Sequence, residues 1–138
     1  MLAKISVAFA LVAALPALAA PARVTAHDYE DFESCFGSFE GASTVLPKLQ
    51  DRIAANDFET IEHAMQNLGT DLNGIEMRLS HAIIRSDPAT LAEAHRAGRL
   101  AWTQPQNQTL DYWSRNGPMS RFCFDLTKRL NEDLPLGF

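Results

Sequence analysis

Apolar residues recur along this chain at helical rather than strand spacing. Phe32, Cys35, Phe39, Leu46, Leu49 and Ile53 follow one another at three, four or seven residues, which puts them on one helical face. Asp28, Glu30, Asp31 and Glu33 crowd the first turns, where the helix dipole favours negative charge. Pro47 interrupts this stretch and predicts a kink or split near Val45. Asn56-Asp57-Phe58-Glu59 has the spacing of a capping box, and the stripe Ile61, Met65, Leu68, Leu72, Ile75, Leu79 and Ile83 predicts a second helix after it. Ser86-Asp87-Pro88 ends that helix and starts a third, with Asp87 as cap and Pro88 at the first helical position.

The third helix carries Leu91, Ala94, Gly98 and Trp102 and stops by Pro105. Leu110 and Trp113 begin a last helical pattern, Gly117-Pro118 interrupts it, and Phe122, Leu126 and Leu130 resume it up to about Asn131. Lys128 and Arg129 then fall in its closing turn. No alternating strand pattern and no repeat occurs. The expected fold is all-α: an antiparallel four-helix bundle with up-down-up-down order.

The first residues change the picture of where such a bundle resides. Lys4 is followed by an apolar run from Ile5 to Leu15, then Pro16, then Ala17-Leu18-Ala19, the small-x-small pattern read by a signal peptidase. The run is too short to span a bilayer as a helix. Residues 1–19 are therefore expected to be a cleaved signal peptide, with cleavage after Ala19 or, as the alternative, Ala20. Residues 20–27 form a linker, 28–134 a single helical domain and 135–138 a tail. The short, alanine-rich signal points to the bacterial periplasm.

Cleavage moves the formal charge from -5 to about -6 and leaves about 119 residues, enough to bury a core. An acidic surface argues against a nucleic-acid partner, which needs a basic face. Nothing after the signal suggests a membrane partner. The two cysteines, Cys35 and Cys123, read in an oxidising compartment as one disulfide. The bundle supports this pairing, because the first and last helices run opposite ways and both thiols fall at nearly the same height.

Catalytic signatures are missing. There is no Cys-x-x-Cys, no Cys-x-x-Cys-His, no glycine-rich phosphate loop, no Gly-x-Ser-x-Gly, no His-Glu-x-x-His and no Glu-x-x-His. A protein that is not an enzyme, without cofactor or bound metal, is the expectation. The alternative is a haem or metal ion held in the bundle: His63 and His81 share a face of the second helix, Met77 lies near His81, and His81 and His95 flank the Asp87-Pro88 turn at similar distances. His95 itself belongs to the stripe of Leu91, Gly98 and Trp102 and reads as a core or boundary histidine.

The stretch WTQPQNQTLDYW holds both tryptophans and one of two tyrosines around an uncharged, amide-rich loop. Aromatic residues beside adaptable polar ones are enriched in protein interfaces, so Trp102, Gln104, Gln106, Tyr112 and Trp113 are the candidate partner-binding residues. The function expected is binding of a protein partner in the periplasm, of inhibitor, immunity or chaperone type, with a homodimer left open. In layout the chain is similar to small exported immunity proteins that neutralise cell-wall amidases delivered by type VI secretion. Size, export and a cysteine in the first and last helices carry that likeness, which implies a helical, cysteine-bridged inhibitor.

Overall fold

A computed structural model describes residues 23–82 and 84–135. The signal segment, its cleavage site, Ile83 and residues 136–138 lie outside the described residues. The described chain is all-helical, with five helices and no strand. They are α1 (Ala26–Val45), α2 (Ala55–His81), α3 (Pro88–Thr103), α4 (Leu110–Asn116) and α5 (Arg121–Asp133).

Most boundaries follow from local chemistry. Thr25 caps α1 in a reciprocal box: the Asp28 N–H donates to Thr25 Oγ1 (3.1 Å) and the Thr25 N–H to Asp28 Oδ2 (3.0 Å). The helix thus begins at Ala26, ahead of the expected start at Asp28. At Pro47, which lacks an amide donor, the α-helix gives way to a 3-10 segment, Leu46–Arg52. Asp87 caps α3 by accepting from the Thr90 N–H (3.2 Å), with Pro88 at the first position as predicted.

Two local expectations fail. The capping box at Asn56 to Glu59 does not form, because α2 already begins at Ala55 and Asn56 lies inside its first turn. There its carbonyl accepts a hydrogen bond from Thr60 Oγ1 (3.0 Å). Lys128 and Arg129 are not in the closing turn of the last helix, since α5 continues to Asp133. Arg129 reaches across to Asp28 instead (2.6 Å).

The expected fourth helix is two helices, α4 and α5, divided at Gly117-Pro118 and each with its own cap, Thr109 and Ser120. The packing also departs from a bundle of sequence neighbours, because the most extensive helix contact is between α1 and α3. These two run parallel: Ser86 lies against Ala26, His95 against Gly37 and Trp102 against Gly41. Their approach is backbone to backbone. A Cβ added at Gly37 would lie 1.9 Å from the His95 carbonyl oxygen, and one at Gly98 1.9 Å from the Ser34 carbonyl oxygen.

On its other sides α1 meets α2 and α5 running the opposite way. Phe39 covers Gly69, Asp28 pairs with Arg129, and Cys35 is bonded to Cys123 with the Cα atoms 5.5 Å apart. The predicted staple is present and joins the first and last helices. Phe32, Leu72, Ile75, Leu79 and Leu130 are the largest fully buried side chains, so the core lies among α1, α2 and α5.

Gly37→Ala and Gly98→Ala should each cost about 3 kcal/mol or more, because backbone rather than a movable side chain occupies the space. Gly74→Ala in α2, where a Cβ meets nothing within 4 Å, should be neutral or stabilising by up to about 1 kcal/mol. Urea unfolding of the three variants separates these outcomes. Reduction of the Cys35–Cys123 bond, which spans 88 residues, should cost up to about 4.6 kcal/mol on the chain-entropy relation. The shift of the denaturation midpoint with and without reductant measures it.

Candidate functional site

The stretch predicted to bind a partner is largely an internal brace. Trp102 and Trp113 are both buried. Trp102 fits over Gly41, where the absent side chain makes room, and donates from Nε1 to Ser38 Oγ (3.3 Å). Trp113 donates from Nε1 to the Ala42 carbonyl (2.9 Å). Half-buried Tyr112 packs edge-on against Trp102, with ring centres 5.1 Å apart.

The neighbouring amides also point inward. Asn107 Nδ2 donates to the Ala101 carbonyl (2.8 Å) and Gln108 Nε2 to the Trp102 carbonyl (3.1 Å), satisfying the open C-terminal end of α3. Gln104 is half-buried and Gln106 exposed. The tryptophans therefore cannot act as exposed anchors, because both indoles fill gaps against α1 and have found their hydrogen-bond partners there.

Two clefts open to solvent beside Trp113: a more polar one of about 570 Å³ between Arg52, Asp57, Leu110 and Ser114, and an apolar one. Ile61, Ala64, Met65 and Leu68 of α2 form one wall, Pro118 and Phe124 the other, and Trp113 closes it. Its volume is about 330 Å³. Phe124 is 42% exposed although it borders this cavity. A third cleft of about 470 Å³ lies along α2, between Phe39, Pro47, Glu62 and Asn73, and is also more polar in its lining. The sequence held a signal for the apolar cleft: Ile61 and Leu68 lie on the α2 stripe, but α5 leaves them only partly covered.

A charged cluster lies further along α2, where that helix and α3 meet α1. Glu33 is buried, the only buried charged residue among the described ones. His95 Nδ1 is 2.9 Å from Glu33 Oε2, and His95 Nε2 is 3.0 Å from Glu40 Oε2. Arg99 lies 3.7 Å from the same Glu40 oxygen. Glu76 of α2 completes the group with Glu33 and His95. His95 also packs against Phe36, with ring centres 5.5 Å apart.

Both ring nitrogens can donate to carboxylates only in the imidazolium form. Burial works against that charge, but hydrogen bonds to Glu40 and Glu33 and their negative charge outweigh it, so His95 is held above its ordinary pKa. Burial, the hydrogen bond with Glu33 and the repulsion of its charge push Glu76 up to about 7. The sequence placed His95 on the buried stripe of α3 but gave no indication that Glu33 would be its partner. His63 and His81, the other candidates for a ligand pair, are exposed and stand outside the cluster, and Met77 is exposed as well.

Comparison with known protein families, with curated proteins and with solved structures gives no match for this chain.

The protonation of the cluster has a definite sign. Glu76 and His95 both bind protons more tightly in the folded chain than in the unfolded one, so stability falls as pH rises while either group titrates. For Glu76 the fall begins near its ordinary value of 4.5 and is complete above about 7. For His95 it begins near 6.5 and extends higher. Urea midpoints of the wild type should decline over this range, and Glu76→Gln, which mimics the protonated acid, should remove the lower part of the decline.

Proposed function

We propose that this chain is an exported periplasmic protein that acts by binding a protein partner, of inhibitor, immunity or chaperone type. The partner seats an apolar side chain in the cleft between α2, α4 and α5. The observation that carries this reading is the cleft's lining. Ile61, Ala64, Leu68, Pro118 and Phe124 offer apolar surface to water, and the one polar atom of Trp113 is turned away to the Ala42 carbonyl.

Apolar surface left in water forgoes about 25 cal/mol for each Å² that could be buried, and a concave patch of this kind suits an aliphatic or aromatic anchor. The compartment is argued from the signal-like start of the sequence and from the Cys35–Cys123 bond, which persists in oxidising environments. No helix among the described residues is long and apolar enough to cross a membrane. Trp113 is thus the member of the predicted partner-binding set that borders the site, and Trp102, Tyr112, Gln104 and Gln106 are not among its lining residues.

Substitution within the cleft tests the proposal. Phe124→Glu and Leu68→Glu should each reduce recovery of the partner from periplasmic extract about tenfold or more, a loss of at least about 1.4 kcal/mol. Gln106→Ala should leave recovery unchanged, and circular dichroism checks that each variant remains helical. Equal recovery with all three folded variants would remove the cleft as the binding face.

A further inference from the structure

We infer that Glu33, Glu76 and His95 form a binding site for a first-row divalent transition-metal ion, for which zinc is the probe. Each residue offers one ligand atom, and these atoms lie within 4.8 Å of one another. The donor set is two carboxylate oxygens and one imidazole nitrogen. That mixture suits zinc, manganese or iron(II) better than calcium or magnesium, which take oxygen ligands almost throughout.

Three features of the surroundings point to a built site. First, the ligands come from three helices, two of which, α1 and α3, are held together by their backbone contact. The His95 carbonyl oxygen lies where a side chain on Gly37 would project, so the strand of backbone carrying the imidazole is fixed relative to Glu33. Second, the nitrogen of His95 beside Glu33 is Nδ1, which leaves Nε2 directed at Glu40 at 3.0 Å. A carboxylate on the far nitrogen is how metal-binding histidines are oriented and kept basic. Arg99 in turn holds the same Glu40 oxygen.

Third, His95 is the only cationic partner that the two acids have among the described residues. Among the described residues no lysine or arginine forms an ion pair with Glu33 or Glu76, since Arg99 is engaged with Glu40. Tyr29 is the other titratable group facing the two acids, and it is neutral: burial and the charges of Glu33 and Glu76 push its hydroxyl above its ordinary value.

A tetrahedral ion bonded at about 2.1 Å has ligand atoms about 3.4 Å apart, so on binding the widest separation, up to 4.8 Å, closes by about 1.4 Å at most, and His95 Nδ1 and Glu33 Oε2, now 2.9 Å apart, open by about 0.5 Å. Half-buried Glu76 and His95 can turn by that amount, while buried Glu33 provides the fixed point. Three protein ligands leave one position of the ion open to water or to a small ligand.

Calorimetric titration of the purified protein with zinc tests the inference. One equivalent should bind, with the melting temperature rising as zinc is added. Glu76→Gln and His95→Ala should each weaken binding at least tenfold, and Glu40→Gln, a positioning change, by about ten- to a hundredfold. Calcium should bind at least tenfold more weakly than zinc. His27→Ala should have no effect; it alters an exposed histidine with Glu30 and Asp31 beside it, an alternative place for the ion. Absence of zinc binding, or wild-type affinity in both folded Glu76→Gln and His95→Ala variants, would overturn the assignment. Either result leaves the partner cleft unaffected, because the two sites share no residue.

Discussion

The contact between the backbones of α1 and α3 is the constraint from which the rest of the structure follows. Gly37 and Gly98 have no side chains, and each admits a carbonyl group of the opposite helix into the space a Cβ would need. Two helices this close must pack with little between them, so the residues flanking the glycines are forced to the edges of the seam. Trp102 lies across Gly41, and about two turns earlier on the same face of α3 His95 is enclosed by Glu33 and Glu40. Both the aromatic brace and the charged cluster result from the same approach.

The opposite side of α1 is organised by different chemistry. There the helix faces α2 and α5 through bulky side chains such as Phe32, Leu72 and Leu130, with the Cys35–Cys123 bond set among them. The division explains why α3 has only one buried residue, Trp102, yet is firmly placed. It contributes little apolar surface and relies on backbone proximity, on its cap at Asp87 and on the ion pairs of His95 and Arg99. A helix held in this way is more sensitive to added atoms than to lost ones.

The sequence disclosed features that depend on one helix at a time. Asp87-Pro88 announces the start of α3, Pro47 the end of α1, and the equal depth of Cys35 and Cys123 their pairing, because caps, breaks and helical rise are local properties. Features that depend on which helix faces which were not legible. The burial of a tryptophan beside amides is not legible until Gly41, some sixty positions away, is known to make room for it. Glu33 looks like one acid among several in the first turns of a helix until His95 and Glu76 close around it. The division of the last helix follows the same logic: Gly117-Pro118 was visible as an interruption, but the turn between α4 and α5 takes its meaning from Trp113, which is anchored on Ala42 of α1.

A chain whose caps, stripes and disulfide agree with one another departs from that agreement in two places, and both involve α2. Glu33 and Glu76 bring two carboxyl groups together, one buried and one half-buried, where an apolar pair of similar size would pack at no electrostatic cost. Ile61, Leu68 and Phe124 leave apolar surface in water, where a longer α4 or a shifted α5 would cover it. From Leu68 to Glu76 is eight residues of helix, about 12 Å of rise, so one rigid element carries both departures without their touching. Locally unfavourable features retained in an otherwise consistent fold are where function is to be sought. The length of α2, which extends past the cleft at one end and past the charged cluster at the other, fits a helix whose role is to hold these two surfaces at a set distance.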